Sequence, residues 1–254
     1  TTIHILPQHL ADEIAAGEVV GRPAAAVKEL IENAIDAQPS SITIVVKEGG
    51  KTFIQVIDDG VGMSPEDASL AFARHATSKI ASYDDLENIR TLGFRGEALA
   101  SIAAVAQVEM RTRQRTSDVG TKARVEGGML LDIVPEAAQP GTTITVKNLF
   151  YNTPGRRKFL KSTPTEYKYI VDVVQRVALA HPELALTFIS NDETVFSLRP
   201  SDSDTRVRNL LGSKVAETIF PFEDDAGFVS VKGFLGKPDF ARKTRTEQYL
   251  YLNN

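Results

Sequence analysis

A helical pattern of hydrophobic and polar positions fills residues 23–37. Apolar side chains recur at i, i+3, i+4, i+7 and i+8, which is typical of a helix packed on a core. Pro23 fits the first turn, and the Gln38-Pro39 pair predicts the helix end because the residue before a proline avoids the helical region. At about 100° per residue, the polar positions gather within about a third of the circumference on the other side. The apolar positions are Val27, Leu30, Ile31, Ala34 and Ile35, and the polar positions are Glu29, Glu32, Asn33 and Asp36.

This acidic helix face has two interpretations. The polar side of a surface helix is commonly only solvated. Alternatively the face binds a ligand, since Asn33 offers a neutral oxygen and Glu29, one turn earlier, offers a carboxylate. Magnesium takes one or two protein oxygens together with phosphate oxygens and water, so one asparagine facing a triphosphate is sufficient. A carboxylate one turn away can reach the proton of a water molecule, as a general base must.

Alternating and β-branched runs predict strands through much of the remaining chain. Four such runs between residues 108 and 147 follow one another, and we expect an antiparallel meander there. Ser64-Pro65-Glu66-Asp67 has the N-cap, proline and acidic residue of a helix start. Residues 75–96 have a weaker pattern and are expected to form a lid. The predicted strands are 42–46, 53–57, 108–113, 121–126, 130–134, 142–147, 184–189 and 194–198, with strand-like residues at 228–235 and 248–252, and the predicted helices are 10–20, 23–37, 64–74, 97–106 and 167–180.

The order of these elements predicts an α/β (α+β) two-layer sandwich, with a mixed and mostly antiparallel sheet under helices. Residues 199–204 combine a proline with small polar residues, which makes them the best linker candidate. We therefore assign residues 1–200 to a first domain. Residues 201–254 are expected to begin a second α/β domain that is truncated.

Composition limits the classes of function. The 254 residues include 29 Lys and Arg against 33 Asp and Glu, and the net charge of −4 gives no overall electrostatic case for nucleic acid or an anionic membrane. The absence of cysteine excludes a disulfide framework, a thiolate metal site and a cysteine nucleophile. No apolar run approaches the ~20 residues of a membrane span, and the first residues lack the pattern of a signal peptide. We expect a cytoplasmic protein without a membrane partner.

The sequence Asp58-x-Gly60-x-Gly62 follows a predicted strand and precedes a predicted helix. Asp and Gly are common in plain turns of this kind. In a binding site, Asp58 would accept a hydrogen bond from an exocyclic amine such as N6 of adenine, and the glycines would let a ring approach the backbone. Both interpretations remain open from this motif alone.

Two better-known nucleotide motifs are excluded. Gly50-Lys51-Thr52 resembles the end of a P-loop, but the first glycine of that motif would fall on Val45, inside a strand. The dinucleotide fingerprint fails because its third glycine would fall on Pro65.

A glycine-containing segment at residues 92–99 leads into a predicted helix. Backbone N–H groups of such a loop and the positive end of the helix make an anion site, although the same composition also suits a flexible helix entry. Upstream, Thr77, Ser78 and Lys79 supply hydroxyls and a cation that would close over phosphates, or they form an ordinary exposed turn.

Taken in order, these features resemble the ATPase superfamily shared by DNA gyrase, a heat-shock chaperone, sensor histidine kinases and MutL. Within it, the resemblance is strongest to the MutL family of DNA mismatch repair proteins. It is dense over about the first 160 residues, and gyrase and the kinases lack the last two of the shared strings. These strings lie at residues 14–20, 22–23, 28–37, 73–80, 93–102 and 148–154.

The resemblance implies a Bergerat-type ATP-binding fold followed by part of a ribosomal-protein-S5-like domain, and it implies binding of ATP and Mg²⁺. Glu29 would be the base that activates water, and Asn33 the magnesium ligand. Asp58 would bind adenine, with Gly62 giving the ring access. Asp59 stands where the family usually has asparagine, a difference we expect to be tolerated. The other implied nucleotide-binding residues are Ala37, Met63, Thr77, Ser78, Lys79, Gly93, Phe94, Arg95, Gly96, Glu97, Ala98, Leu99, Thr142 and Thr143.

The resemblance also implies a role in mismatch repair. The nucleotide state would gate an ATP-dependent homodimer and recruitment of partners such as the mismatch-recognition protein MutS, with a nucleoid-associated location in a bacterium. A lysine that reaches the γ-phosphate in the family would lie beyond Asn254, so we expect slow hydrolysis. The alternatives are an ATP-regulated binding module with negligible turnover and, less favoured, a topoisomerase ATPase subunit.

DNA binding is a further expectation with a simple alternative. Basic residues cluster at 156–158 with Lys161, and again at Arg242, Lys243 and Arg245. Each cluster is either a contact for phosphate or a solvated face. Contacts with phosphate would make a weak affinity for DNA fall steeply with salt.

Overall fold

A mixed eight-stranded sheet is the centre of the fold. The computed structural model describes residues 16–17, 19–79, 91–93, 96–241 and 248–252. The strands of this sheet are β1 (Ser41–Lys47), β2 (Phe53–Asp58), β3 (Gln107–Arg113), β4 (Gly120–Glu126), β5 (Met129–Glu136), β6 (Gly141–Lys147), β7 (Ala185–Ser190) and β8 (Glu193–Leu198). They lie in the order β5-β4-β3-β6-β2-β1-β7-β8, with β1 and β7 parallel and the other neighbours antiparallel. The predicted mixed, mostly antiparallel sheet is confirmed.

The position of β6 corrects the predicted meander. β3, β4 and β5 follow one another as antiparallel neighbours, but β6 pairs with β3 and β2 instead of β5. The reason is burial, since most residues of β6 are buried whereas β5 is a largely exposed edge strand. This position sets Thr142 opposite Asp58 on one side and Thr112 on the other.

Helices cover one face of the sheet. The helix with the acidic face is α1 (Pro23–Asp36). Its apolar face, including Leu30 and Ile31, packs with the inward residues of the strands in one hydrophobic core. The same core receives α3 (Ala98–Ala104) and α5 (Thr163–Ala180). The predicted two-layer sandwich is therefore confirmed. The remaining described α-helices are α2 (Pro65–Leu70), α4 (Pro154–Phe159), α6 (Ser203–Leu211) and α7 (Ser213–Ala216).

The start of α2 agrees with the sequence and its end does not. Ser64 caps the helix, because its Oγ accepts a hydrogen bond of 3.0 Å from the backbone N–H of Asp67. The helix stops at Leu70 rather than near residue 74. Beyond it the chain turns, and His75, at φ 61°, donates its N–H to the carbonyl of Gly96 at 3.1 Å. This contact with a distant segment competes with continued helix.

Some predicted elements extend outside the described residues. Of the predicted helix 10–20, Ala16, Gly17 and Val19 are helical and residues 10–15 and 18 are not described. The predicted lid at 75–96 includes residues 80–90 and 94–95, which also lie outside.

A buried arginine holds α6 against the first sheet. The Arg206 side chain is 1% exposed, and its guanidinium donates to the carbonyls of Ala178, Pro182, Leu184 and Arg199 at 2.7–3.3 Å. Burial lowers the pKa of Arg206, with Glu183 opposing the change. The helix that follows the predicted boundary thus contacts the end of α5, the segment that leads into β7 and the residue after β8.

A separate hairpin follows, made of β9 (Ile219–Asp225) and β10 (Ser230–Gly236). Its strand residues are partly or fully exposed, including Phe220 and Val231. The division into domains at residue 200 stays a prediction. None of the helices in the described ranges has the length and apolar character needed to cross a bilayer.

Candidate nucleotide-binding site

The polar face of α1 presents a partly buried carboxylate. The Glu29 side chain is 28% exposed, and Lys28 lies 4.0 Å from it while forming a closer ion pair of 2.6 Å with Glu32. Burial raises the pKa of the Glu29 carboxyl above its ordinary value; Lys28 and Lys79 oppose this rise and Glu32 adds to it. Glu29 is thus a better proton acceptor than a solvated glutamate.

One turn along α1, a lysine from a distant segment contacts Asn33. Lys79 Nζ donates to Asn33 Oδ1 at 3.0 Å and forms an ion pair with Asp36. The same Asp36 carboxylate accepts from the backbone N–H groups of Leu92 at 3.1 Å and Gly93 at 3.3 Å. The structure therefore brings α1, Lys79 and the start of the glycine-containing segment together.

Asp58 lies at the end of β2 and is only 8% exposed. Its Oδ1 accepts the backbone N–H groups of Gly60 at 3.0 Å and Thr142 at 3.3 Å. Burial raises the pKa of Asp58 to about 6, although these two hydrogen bonds lower it in part. Both bonds use the same oxygen, so Oδ2 can accept a hydrogen bond from a ligand amine.

The glycines after Asp58 allow close backbone packing. Gly62 has φ 68°, and a Cβ there would lie 2.1 Å from the carbonyl oxygen of Arg113. A Cβ on Gly60 would lie 2.5 Å from the carbonyl oxygen of Ala37, which accepts the N–H of Val61 at 3.0 Å. Glycine is therefore required at these two positions because β3 and the end of α1 pack closely against them. A ligand ring that contacts the turn would be a further reason.

Two threonine hydroxyl groups of the sheet connect this turn to β3 and β6. Met63 donates its N–H to Thr112 Oγ1 at 2.9 Å, and that hydroxyl lies 3.0 Å from Thr142 Oγ1. Thr142 and Asp58 are register partners on β6 and β2, so their side chains share the helix-covered face. Thr143 is the next residue and points to the opposite face. Thr142 therefore lies beside Asp58, and the Thr143 side chain lies on the other face of the sheet.

Residues 75–79 and 96–99 contact each other. Gly96 has φ 64°, and a Cβ there would lie 2.5 Å from the carbonyl oxygen of Ala76. Thr77 Oγ1 accepts the N–H of Lys79 at 3.1 Å, whereas Ser78 is exposed. Glu97 precedes α3 and lies 3.4 Å from His75. Of the remaining predicted residues, Ala98 begins α3, Leu99 packs against the core, and Phe94 and Arg95 lie outside the described residues.

Two acidic residues that organise this site have no role predicted from the sequence. Asp36 holds Lys79, Leu92 and Gly93, as described above. Asp59 accepts the N–H groups of Ser40 at 2.7 Å and Ser41 at 2.8 Å, as well as the Ser40 hydroxyl. An acidic residue that ends a helix or follows a strand is the available sequence signal, but its partners are distant in the chain.

Comparison with known proteins agrees with this geometry. The sequence model of a family described as "Histidine kinase-, DNA gyrase B-, and HSP90-like ATPase" matches residues 22–127, a range that includes Glu29, Asn33, Asp58 and Lys79. The DNA mismatch repair protein MutL of Christiangramia forsetii is 50% identical over 252 residues, covering 99% of this chain and 41% of its own length. This chain belongs to the MutL family. It carries the ATPase domain of that family.

Solved structures support the same assignment. The MutL ATPase domain of Aquifex aeolicus complexed with ADP is 28% identical, with a TM-score of 0.66, and the match covers 81% of this chain and 73% of that one. The N-terminal domain of a DNA repair protein shares the fold, with a TM-score of 0.79 at 24% identity over 94% of this chain and 75% of that one. This MutL-family chain spans about two fifths of the length of the Christiangramia relative.

Proposed function

We propose that this MutL-family chain binds ATP with magnesium and hydrolyses it. The observation that carries the proposal is the contact between Asn33 on α1 and Lys79, with Glu29 one helical turn away. A metal ligand, a phosphate-binding cation and a general base are thereby within one region. The Aquifex aeolicus relative was solved with ADP, which supports nucleotide binding here.

Asp58 and Lys79 would bind opposite ends of the nucleotide. The Asp58 carboxylate accepts the exocyclic amine of adenine through Oδ2, since Oδ1 already accepts two backbone N–H groups. Thr142, whose N–H is one of these donors, supports the same end. Lys79 and the backbone of 96–98 bind the phosphates through charge and N–H groups. Thr77, whose hydroxyl accepts a hydrogen bond from the Lys79 backbone, would lie beside these phosphate-binding groups.

The residues around Asn33 fit a magnesium ion. Asn33 Oδ1 has two lone pairs and accepts from Lys79 Nζ at 3.0 Å with one of them, which leaves the other for a metal ion. Among the described residues, no group of three or more His, Asp or Glu side chains could hold a metal alone. The ion would therefore depend on Asn33 together with phosphate oxygens and water. When bound, it would neutralise phosphate charge.

Glu29 would act as the general base. Its carboxylate accepts a proton from a water molecule, and the oxygen of that water forms a bond to the γ-phosphorus. The bond between the γ-phosphorus and the β,γ-bridging oxygen breaks, and ADP leaves. The raised pKa of Glu29 favours this proton transfer. Because only the ionised form accepts the proton, hydrolysis should fall as the pH drops through that raised pKa.

Two variants test the assignment. Glu29→Gln should bind ATP as the parent does but hydrolyse it at least about a hundredfold more slowly, because the base is lost. Asn33→Ala should lose the part of ATP binding that depends on magnesium. Calorimetric titration with and without Mg²⁺, together with phosphate release, measures both. Glu32→Gln, on the same helix face, is the matched control and should retain hydrolysis. Equal hydrolysis by Glu29→Gln and the parent would remove the base assignment.

The biological role is proposed at the level of the longer protein. ATP binding would gate a homodimer and recruitment of MutS in mismatch repair, with weak, salt-sensitive DNA binding. Arg157 and Lys158 on α4 are exposed and Phe159 beside them is 85% exposed, which suits contact with a nucleic acid backbone and bases. Arg156 instead lies against the backbone of Gly17.

A further inference from the structure

Asp36 accepts hydrogen bonds from three donors in the candidate site, although the proposed hydrolysis assigns it no role. It is the last residue of α1, and its side chain is 9% exposed. Its carboxylate accepts from Lys79 Nζ and from the backbone N–H groups of Leu92 and Gly93. These donors come from two places in the chain, 43 and 57 residues away from Asp36. One carboxylate thus fixes two segments to one helix end.

The contacts change how the glycine-containing segment can bind an anion. Each backbone N–H carries a single hydrogen, and that of Gly93 is directed at Asp36 Oδ2. The N–H groups of Leu92 and Gly93 therefore fix the segment, and phosphate must be bound by other donors. Gly93 also leaves room for the cation, since a Cβ on this residue would lie 3.2 Å from Lys79 Nζ.

Lys79 is positioned by the same carboxylate. Its ammonium has three hydrogens, of which one is directed at Asp36 and one at Asn33 Oδ1. Two fixed bonds define the direction of the third, and they place the charge beside the oxygen proposed to bind magnesium. A flexible lysine would lose considerable side-chain entropy on binding phosphate, and an ammonium that is already held loses less.

We propose that Asp36 is a positioning residue for phosphate binding, acting through Lys79 and the 92–93 backbone without touching the nucleotide. The inference rests on the proposed binding of ATP. It predicts that Asp36 affects affinity only for ligands that carry phosphates contacted by Lys79, and that its effect depends on Lys79.

The test compares ATP, ADP and adenosine on four forms of the full chain by calorimetric titration and competition: the parent, Asp36→Asn, Lys79→Met and the double variant. Asp36→Asn should weaken ATP about tenfold, the usual order for loss of a charge-assisted contact, and leave adenosine unchanged. In the Lys79→Met background the same substitution should change ATP affinity less than about twofold. Glu32→Gln is the matched control, because this carboxylate lies on the same helix face and forms its ion pair with Lys28.

Circular dichroism melting identifies a variant that does not fold, in which case Asp36→Glu, which keeps the charge but displaces it, replaces Asp36→Asn and should give a smaller loss of the same kind. Equal loss for adenosine and ATP, or the same loss with and without Lys79, would overturn the positioning role. An unchanged ATP affinity would overturn it as well. Failure of the parent to bind ATP would instead refute the proposed function, and this inference with it.

Discussion

Asp58 is a buried carboxylate whose ionisation the fold opposes. Its pKa is raised to about 6 from an ordinary value of 3.8, so the folded state favours the protonated form. Protonated Asp58 stabilises the fold fully at pH values below the pKa that this carboxyl has in the unfolded chain. This stabilisation is lost as the pH rises through about 6. At about 1.4 kcal/mol per unit, the ionised carboxylate costs roughly 2–3 kcal/mol at neutral pH. Such a cost is typical of a residue kept for binding.

Asp58→Asn should therefore stabilise the fold and weaken nucleotide binding. The amide oxygen can still accept the N–H groups of Gly60 and Thr142, and the NH₂ group removes the buried charge but repels an incoming amine. Urea unfolding at pH 8 should show a gain of about 1–3 kcal/mol that disappears near pH 4. Titration with ADP should show reduced affinity.

Asp59 is the control for Asp58, because its pKa is shifted in the opposite direction. Burial alone would raise the pKa of Asp59, but hydrogen bonds from Ser40 and Ser41 outweigh it and the pKa is lowered. Asp59 therefore contributes stability above its unfolded pKa, and this is lost as the pH falls. Asp59→Asn should be less stable than the parent at pH 8. A stability gain at pH 8 for both variants, or for neither, would contradict the assignment of these two environments.

Among helices and strands, the sequence predicts what depends on neighbours in the chain. The alternation in β2 and the Ser64 cap are local, and both agree with the structure. The neighbour of β6 and the end of α2 depend on distant contacts, and both predictions were wrong. In the candidate site, the stripe on α1 was predictable from helical period. The contact of Lys79 with Asn33 and Asp36 was not, because 46 and 43 residues separate them.

Arg206 provides a test of how α6 is held. Its guanidinium reaches four carbonyls at the ends of other elements, which a lysine with one ammonium group cannot do. Arg206→Lys should lower the free energy of unfolding by about 2–3 kcal/mol, since hydrogen bonds to a buried charged group are lost. Urea unfolding followed by circular dichroism measures the change.

Arg208 on the same helix is the matched control. It is exposed and pairs with Asp204 at 3.4 Å, so Arg208→Lys should change stability by less than about 0.5 kcal/mol. If both substitutions cost the same, α6 is not held by the buried guanidinium, and the contacts of Arg206 are incidental to stability.

For the whole molecule, exposed apolar surface is concentrated in the last part of the described chain. Phe228 is 90% exposed and Leu250 is 91% exposed. Apolar side chains in such number are normally covered in a folded unit. The assignment of residues 201–254 to a second domain stays a prediction. Because this apolar surface is exposed, association through it has to be distinguished from association that requires nucleotide.

ATP should convert this chain from monomer to dimer, and ADP should not. A nucleotide bound by α1, Asp58, Lys79 and the 96–98 backbone would order several segments at once, which lowers the entropic cost of docking a second copy onto them. Sedimentation velocity with ATP, ADP and no nucleotide measures the mass. Glu29→Gln should dimerise with ATP and persist as a dimer because it does not hydrolyse the ligand, whereas Asn33→Ala should remain monomeric. Dimers of equal abundance without nucleotide would show that exposed apolar surface, rather than ATP, drives association.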